Sequence, residues 1–248
     1  MVIYICKIFL KIILFPYKKL KIFFIKKLIL KNNKILDQTK FNIIYKLNYW
    51  SNNFSRSGNG STMEYTYNLR KKLPQLIKNY NINSILDCPC GDFFWMQNFL
   101  KVNKLSYYIG GDIVPDLIKK NNKLYSNKFI SFKLLDIRFD ELPKADLLIC
   151  RDLFIHFSFN DIITTLSNFI KSKVKFILFS HNCLTDNFIN KDISTGEYRK
   201  INLFKKPFNL KGSLVNIKDG PQNNQSDYRI MSLFSRNQIY NLLKIKKK

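Results

Sequence analysis

Between residues 84 and 180, short apolar runs alternate with longer segments of helical period, and the first four runs each close on an acid. The runs lie at 84–86, 107–109, 130–135, 146–150 and 176–180. Most are continuous apolar stretches, as expected of strands buried on both faces. Helical segments fall between several of them, near 93–101, 115–124 and 160–172, the last with Ser158 or Asn160 as its N-cap. Strands alternating with helices predict an α/β chain with a doubly wound, mostly parallel sheet. Ligands of such sheets bind beyond the carboxyl ends of the strands, near the point where the strand order reverses. At those ends stand Asp87-Cys88-Pro89-Cys90-Gly91-Asp92, Gly110-Gly111-Asp112-Ile113, Asp136-Ile137 and Cys150-Arg151-Asp152. One acid there is an ordinary loop residue; four in register are harder to ascribe to chance.

The segments on either side add detail. Ser57-Gly58-Asn59-Gly60 is permissive backbone, and Ser61-Thr-Met-Glu64 reads as a capping box opening a helix. Leu69, Leu73 and Ile77 give that helix an apolar stripe, and Pro74 is expected to kink or restart it. The stretches SLVNIKDG and DYRIMSLFS read as two strands joined by a turn rich in Gly, Pro, Asn and Gln. Residues 182–210 carry little strand or helix signal; a loop of that length inside a compact domain is usually functional, here a lid over a substrate. The five cysteines, Cys6, Cys88, Cys90, Cys150 and Cys183, have no spacing of a zinc site or disulfide framework. They read as reduced, buried thiols of a cytoplasmic protein, and no metal site is expected.

Residues 1–36 form a separate unit, ahead of one domain over 37–248. They hold nine lysines and no acid. Lysines interrupt every window long enough to span a bilayer, and Pro16 breaks the helical period. One reading is a basic amphipathic segment in peripheral contact with an anionic membrane, which would put the protein at the inner face of that membrane. Others are short helices packed on the domain, or an extension from a misplaced start codon. The formal net charge of +25 suits an anionic partner. A genome biased toward codons for Lys, Asn, Ile, Phe and Tyr supplies much of it equally well.

The series of strand-end acids resembles a class I S-adenosylmethionine-dependent methyltransferase. Asp87-Cys-Pro-Cys-Gly91-Asp92 looks like the D-x-P-C-G form of that family's first loop, with Pro89 and Phe93 where glycines are common. Together SRSGNGSTMEYT, ILDCPCGDFFW, YIGGDIV, LPKADLLICRDLFIHFS and TGEYRKINL are similar to one bacterial group of such enzymes. In that group the last motif more often carries Trp where Tyr198 stands. The resemblance covers roughly Trp50 to the C-terminus. It implies a seven-stranded Rossmann-like sheet ending in an antiparallel hairpin, with S-adenosyl-L-methionine as cofactor. Asp87, Pro89, Cys90, Gly91 and Asp92 would border its methionine end, where an ammonium and a sulfonium favour an acid. Asp112 would accept both ribose hydroxyls, flanked by Gly111 and Ile113. Asp136 and Ile137 would flank the adenine. Arg151 would border the cofactor, and Arg56, Ser57, Gly58 and Gly60 would fold over it.

Methyl transfer needs alignment of a nucleophile and, for a hydroxyl, removal of its proton. His156, four residues after Asp152, stands where the family borders its acceptor. It reads either as a base or as a packing residue, and Asp152 and His156 are the catalytic candidates. His181 ends the fifth run and reads as structural. Arg151, Arg199 and Asp192 are candidates for holding an anionic or sugar-like acceptor. A nicotinamide-dependent oxidoreductase would want Gly-x-Gly-x-x-Gly, whereas here bulky Phe93 and Phe94 fill the approach. A nucleic-acid amino methyltransferase would want Asn/Asp-Pro-Pro-aromatic after the fourth strand, where the chain reads Arg151-Asp152-Leu153-Phe154. The expected function is O-methylation of a small molecule, glycan or lipid-linked saccharide. A fold-retaining inactive binding protein and a nucleic-acid methyltransferase are the alternatives.

Overall fold

The computed structural model describes residues 36–50, 54–183, 187–221 and 229–244. The basic segment 1–36, apart from Leu36, and the turn at 222–228 lie outside them. In chain order the elements are α1 (Asp37–Lys46), α2 (Tyr67–Asn79), β1 (Ser84–Asp87), α3 (Phe94–Val102), β2 (Tyr107–Asp112), α4 (Pro115–Tyr125), β3 (Ile130–Leu134), β4 (Leu147–Cys150), α5 (Phe159–Lys171), β5 (Phe176–Asn182), β6 (Val215–Asp219), β7 (Arg229–Ser235) and α6 (Arg236–Lys244).

One seven-stranded sheet has the order β3-β2-β1-β4-β5-β7-β6. Its first five strands pair in parallel, while β7 pairs antiparallel with both β5 and β6. This is the predicted Rossmann-like sheet with its closing hairpin. The order reverses between β1 and β4, so those two strands and the loops beyond them frame the expected site. Both strands are buried along their whole length, as strands covered by helices on two faces must be. The helices bury the stripes their spacing predicts. In α5 these are Ile162, Leu166 and Phe169, and Ser158 is the N-cap, accepting from the Asp161 N–H at 3.1 Å.

Three local expectations are corrected. Ser61 caps nothing: it ends a 3-10 turn (Asn59–Ser61), and α2 begins only at Tyr67. The Thr62 hydroxyl accepts from the Tyr65 N–H at 3.2 Å, so turns rather than a first helical turn occupy the intervening residues. Pro74 sits inside an unbroken α2, because Leu69, Leu73 and Leu76 anchor the helix on both sides of it. Of the cysteines, Cys88, Cys90 and Cys150 are buried and free, but Cys183 is exposed just past β5.

The long segment before β6 has no helix or strand among its described residues, as expected, yet it is packed. Ile201, Leu203, Phe208 and Leu210 are fully buried. The Asn190 amide donates to the carbonyls of Asn202 and Lys206. Its described residues pack on the domain rather than standing off it as a lid. No described helix is long and apolar enough to cross a membrane.

Candidate functional site

Beyond β1 and β4 lies a cleft of about 1020 Å³, measured with its open mouth. The loop after β1 builds one side. Asp87 is buried and accepts from the Tyr108 hydroxyl at 2.9 Å; burial pushes its carboxyl up to about 7. The Cys90 N–H donates to the Gly111 carbonyl at 2.8 Å, which lays this loop against the end of β2. Gly91 turns with φ at +53°. Its carbonyl accepts from Asn121, and its N–H donates to the Asp112 carboxylate at 3.2 Å.

Gly91 lines the cleft as expected, and it has a second partner, Ser57. A side chain there would overlap the Ser57 hydroxyl, so the glycine lets the 55–61 loop close on the β1 loop. Gly91→Ala should therefore lower stability by about 1–3 kcal/mol, through the positive φ and the displaced loop. Urea unfolding reads this directly, and a midpoint equal to the parent's would contradict it.

Phe93 is corrected too. It does not block the approach but turns into the core, its ring 5.1–5.3 Å from those of Tyr108, Tyr125 and Phe132. Asp92 is likewise not on the cleft. Its carboxylate accepts from the Ser55 and Ser57 hydroxyls and from the Arg56 N–H at 2.7 Å, and so clamps the 55–57 loop down. Of that loop, Arg56 and Ser57 line the cleft as expected, with Ser61 in addition. Gly58 and Gly60 do not. Gly58 sits against Trp50, and Gly60 lies where a side chain would overlap the Asp152 carboxylate.

Asp112 ends β2 with its side chain on the cleft. One carboxylate oxygen accepts from Val114 N–H at 3.1 Å, the other from Gly91 N–H. Burial nevertheless raises its carboxyl to about 6, against the pull of those donors. Ile113 and Ile137 line the cleft as expected, joined by Val114, Leu117 and Leu135. Gly111 instead packs against Leu135 and Cys88. Asp136 lines the cleft, but both its oxygens are taken by Arg138, at 2.9 Å from Nε and 2.7 Å from a terminal nitrogen.

At the end of β4, Asp152 adopts φ of +56° and donates its N–H to the Ser180 hydroxyl at 2.7 Å. Its carboxylate pairs with Arg229 at 2.6 Å and Arg151 at 3.3 Å. Burial raises its pKa, but the two guanidiniums outweigh burial and hold it below the ordinary carboxylate range. Asp152 lines the cleft as expected, as an anion held between the two guanidiniums. Arg151 lines the cleft as expected, but it is committed to Asp219 through two nitrogens, at 3.0 and 3.1 Å, rather than open to an anion. The other proposed acceptor-holding groups are structural. Arg199 donates to the carbonyls of Phe154, Phe157 and Lys191, and Asp192 accepts from the Phe159 N–H at the start of α5. His181 is fully buried against Ser232 and Phe204, and burial pushes it down to about 4.

His156 lies on the cleft, stacked on Trp50 at 4.6 Å between centroids. Its Nδ1 is 2.7 Å from the Glu197 carbonyl. A carbonyl only accepts, so Nδ1 carries the proton and Nε2 keeps its lone pair. Burial lowers the pKa of the ring, which keeps it neutral. Tyr198 lies beside it at 5.9 Å and is largely exposed.

The sequence reading missed the roof. Phe41, Ile44 and Tyr45 of α1, with Trp50 after it, close the cleft, and Trp95 and Phe157 complete its walls. The Phe41 to Ile44 spacing in a short helix was the available signal. Among the described residues no group of three or more His, Cys, Asp or Glu is placed to hold a metal.

Known structures share this arrangement of elements. A SAM-dependent methyltransferase from Leishmania major superposes with a TM-score of 0.60 at 14% identity, over 83% of this chain and 86% of its own. Magnesium protoporphyrin IX methyltransferase from Synechocystis PCC 6803, with bound SAH, gives 0.53 at 12% identity, over 80% and 97%. The chain has the class I methyltransferase fold. No family model matches it, and no curated protein is similar in sequence.

Proposed function

We propose that the chain is an S-adenosylmethionine-dependent methyltransferase acting on a hydroxyl of a small molecule, glycan or lipid-linked saccharide. The observation that carries this is Asp112, a buried carboxylate at the end of β2, held on the cleft by two backbone N–H groups. A carboxylate has about four acceptor sites, so acceptor capacity remains for a ligand hydroxyl. The fit extends along the cleft. Ile113, Val114, Leu117, Leu135 and Ile137 give an apolar slot for a flat base, and the buried Asp87 gives the other end an acid for a cationic head. The bound SAH of one structural neighbour supports the same reading.

The cofactor would supply a methyl group already activated on a sulfonium. The chain's own task is alignment and proton handling. His156 Nε2 would take the proton of the acceptor hydroxyl, and the Glu197 carbonyl would steady the imidazolium through Nδ1–H. Of the two arginines on the cleft, Arg151 is paired with Asp152 and Asp219, while the Arg56 guanidinium lies over the Tyr45 ring.

Calorimetric titration of the full chain tests the cofactor: micromolar binding of S-adenosylmethionine and none of NADH is expected, and absence of S-adenosylmethionine binding would overturn the proposal. The affinity should also depend on pH. With its pKa raised to about 6, Asp112 is ionised at pH 7.5 and largely protonated at pH 5. A ligand that needs the carboxylate then binds about tenfold more weakly at pH 5. An affinity equal at both would remove the ionised Asp112 from the contact.

A further inference from the structure

Arg138, two residues beyond Asp136, is buried and touches three separate parts of the cleft's surroundings. Its guanidinium holds Asp136 on the cleft at 2.7 Å, Asp37 at the start of α1 at 2.5 Å, and Asp161 in the first turn of α5 at 3.0 Å. It also lies over the Phe157 ring, 5.3 Å from the centroid, and Phe157 is itself a cleft wall. The cluster continues on both sides. Asp37 pairs with the buried Lys40, which donates to the Thr195 carbonyl at 3.2 Å. The Thr195 hydroxyl donates to Asp161 and accepts from the Ser158 N–H. Two residues on, Glu197 holds His156.

The roof of the cleft is therefore fastened at one end. Helix α1 places Phe41 and Ile44 inside the cleft, and its charged first turn is bound to the group that also fixes the acid on the slot wall. A cofactor under this roof would leave faster when α1 lifts, and α1 lifts only when Asp37 parts from Arg138.

We propose that Arg138 is a positioning residue of the cofactor site, which sets the rate of cofactor exchange by latching α1 over the cleft. This rests on the cofactor reading above. The latch itself is a property of the chain alone, so the two can fail separately.

The test uses Asp37→Asn, which removes the roof's charge and leaves Asp136 and Asp161 on Arg138. Asp37→Glu is the conservative control. Two quantities are measured on the full chain: hydrogen exchange of the α1 amides without ligand, and displacement of tritiated S-adenosylmethionine by unlabelled excess. Loss of a charged hydrogen bond in Asp37→Asn should speed both by about tenfold. Asp37→Glu should restore both, and amides of β1 and β4 should exchange as in the parent. If α1 exchange is unchanged in Asp37→Asn, the latch is overturned. If α1 opens faster while displacement keeps its rate, the control of exchange is overturned. If the parent binds no S-adenosylmethionine, the control of cofactor exchange falls with the functional reading, and hydrogen exchange still decides whether Arg138 holds the roof.

Discussion

Asp112→Asn should weaken S-adenosylmethionine binding by about a hundred- to a thousandfold, with no loss of stability. A hydrogen bond to a charged acceptor in a buried site is worth roughly 1.5–3 kcal/mol, and two hydroxyls would share this carboxylate. Each 1.4 kcal/mol is about a factor of ten in affinity. The effect on the fold runs the other way. Burial raises the carboxyl to about 6, so its charged form costs the folded state about 3 kcal/mol above that pH. The sign follows from the direction. A raised carboxylate pKa makes the folded chain bind more protons than the unfolded one, so this stability is present near pH 4 and lost as pH rises through about 6. The amide avoids that cost, though it gives up one of the two backbone donors now on Asp112. Calorimetry and urea unfolding on the same protein separate the two effects. Lost binding with an unchanged or higher midpoint identifies a charge kept at the expense of stability, and retained binding removes Asp112 from the site.

His156→Gln should lower the methyl-transfer rate by about a hundred- to ten-thousandfold, the range for removal of a positioned general base. Gln keeps a donor for the Glu197 carbonyl and fills similar space, so cofactor binding should change little. Tritium transfer from labelled cofactor to a panel of hydroxyl acceptors supplies the substrate for the measurement. The pH profile adds an independent mark. Burial lowers the ring's pKa, so the acid limb of the rate should fall below the ordinary histidine range. A Gln variant with parental turnover would show that the ring only packs against Trp50.

The sheet was legible because its strands are continuous apolar runs, whose burial follows from composition alone, and because the acids closing them stand at fixed register. Asp87 and Asp112 were placed by that register, and Ile113, Ile137 and His156 by the family resemblance; all five line the cleft. What escaped depends on contacts distant in sequence. Nothing near Asp92 says that its carboxylate clamps Ser55 and Ser57. Nothing near Asp152 says that Arg229, from the last strand, neutralises it. Arg138 reads as one more loop cation until Asp37 and Asp161 are seen around it. The capping box failed for a local reason: Thr62, one residue after the expected cap, offers a competing hydroxyl and closes a turn instead.

The chain contains two tryptophans, and both Trp50 and Trp95 line the cleft, one on the roof side against His156 and one at the start of α3. The indole emission of this protein therefore comes from its site alone. A ligand entering the cleft, a lifted roof or a charged His156 each changes the surroundings of an indole, so binding and opening can be followed optically on the unlabelled native chain.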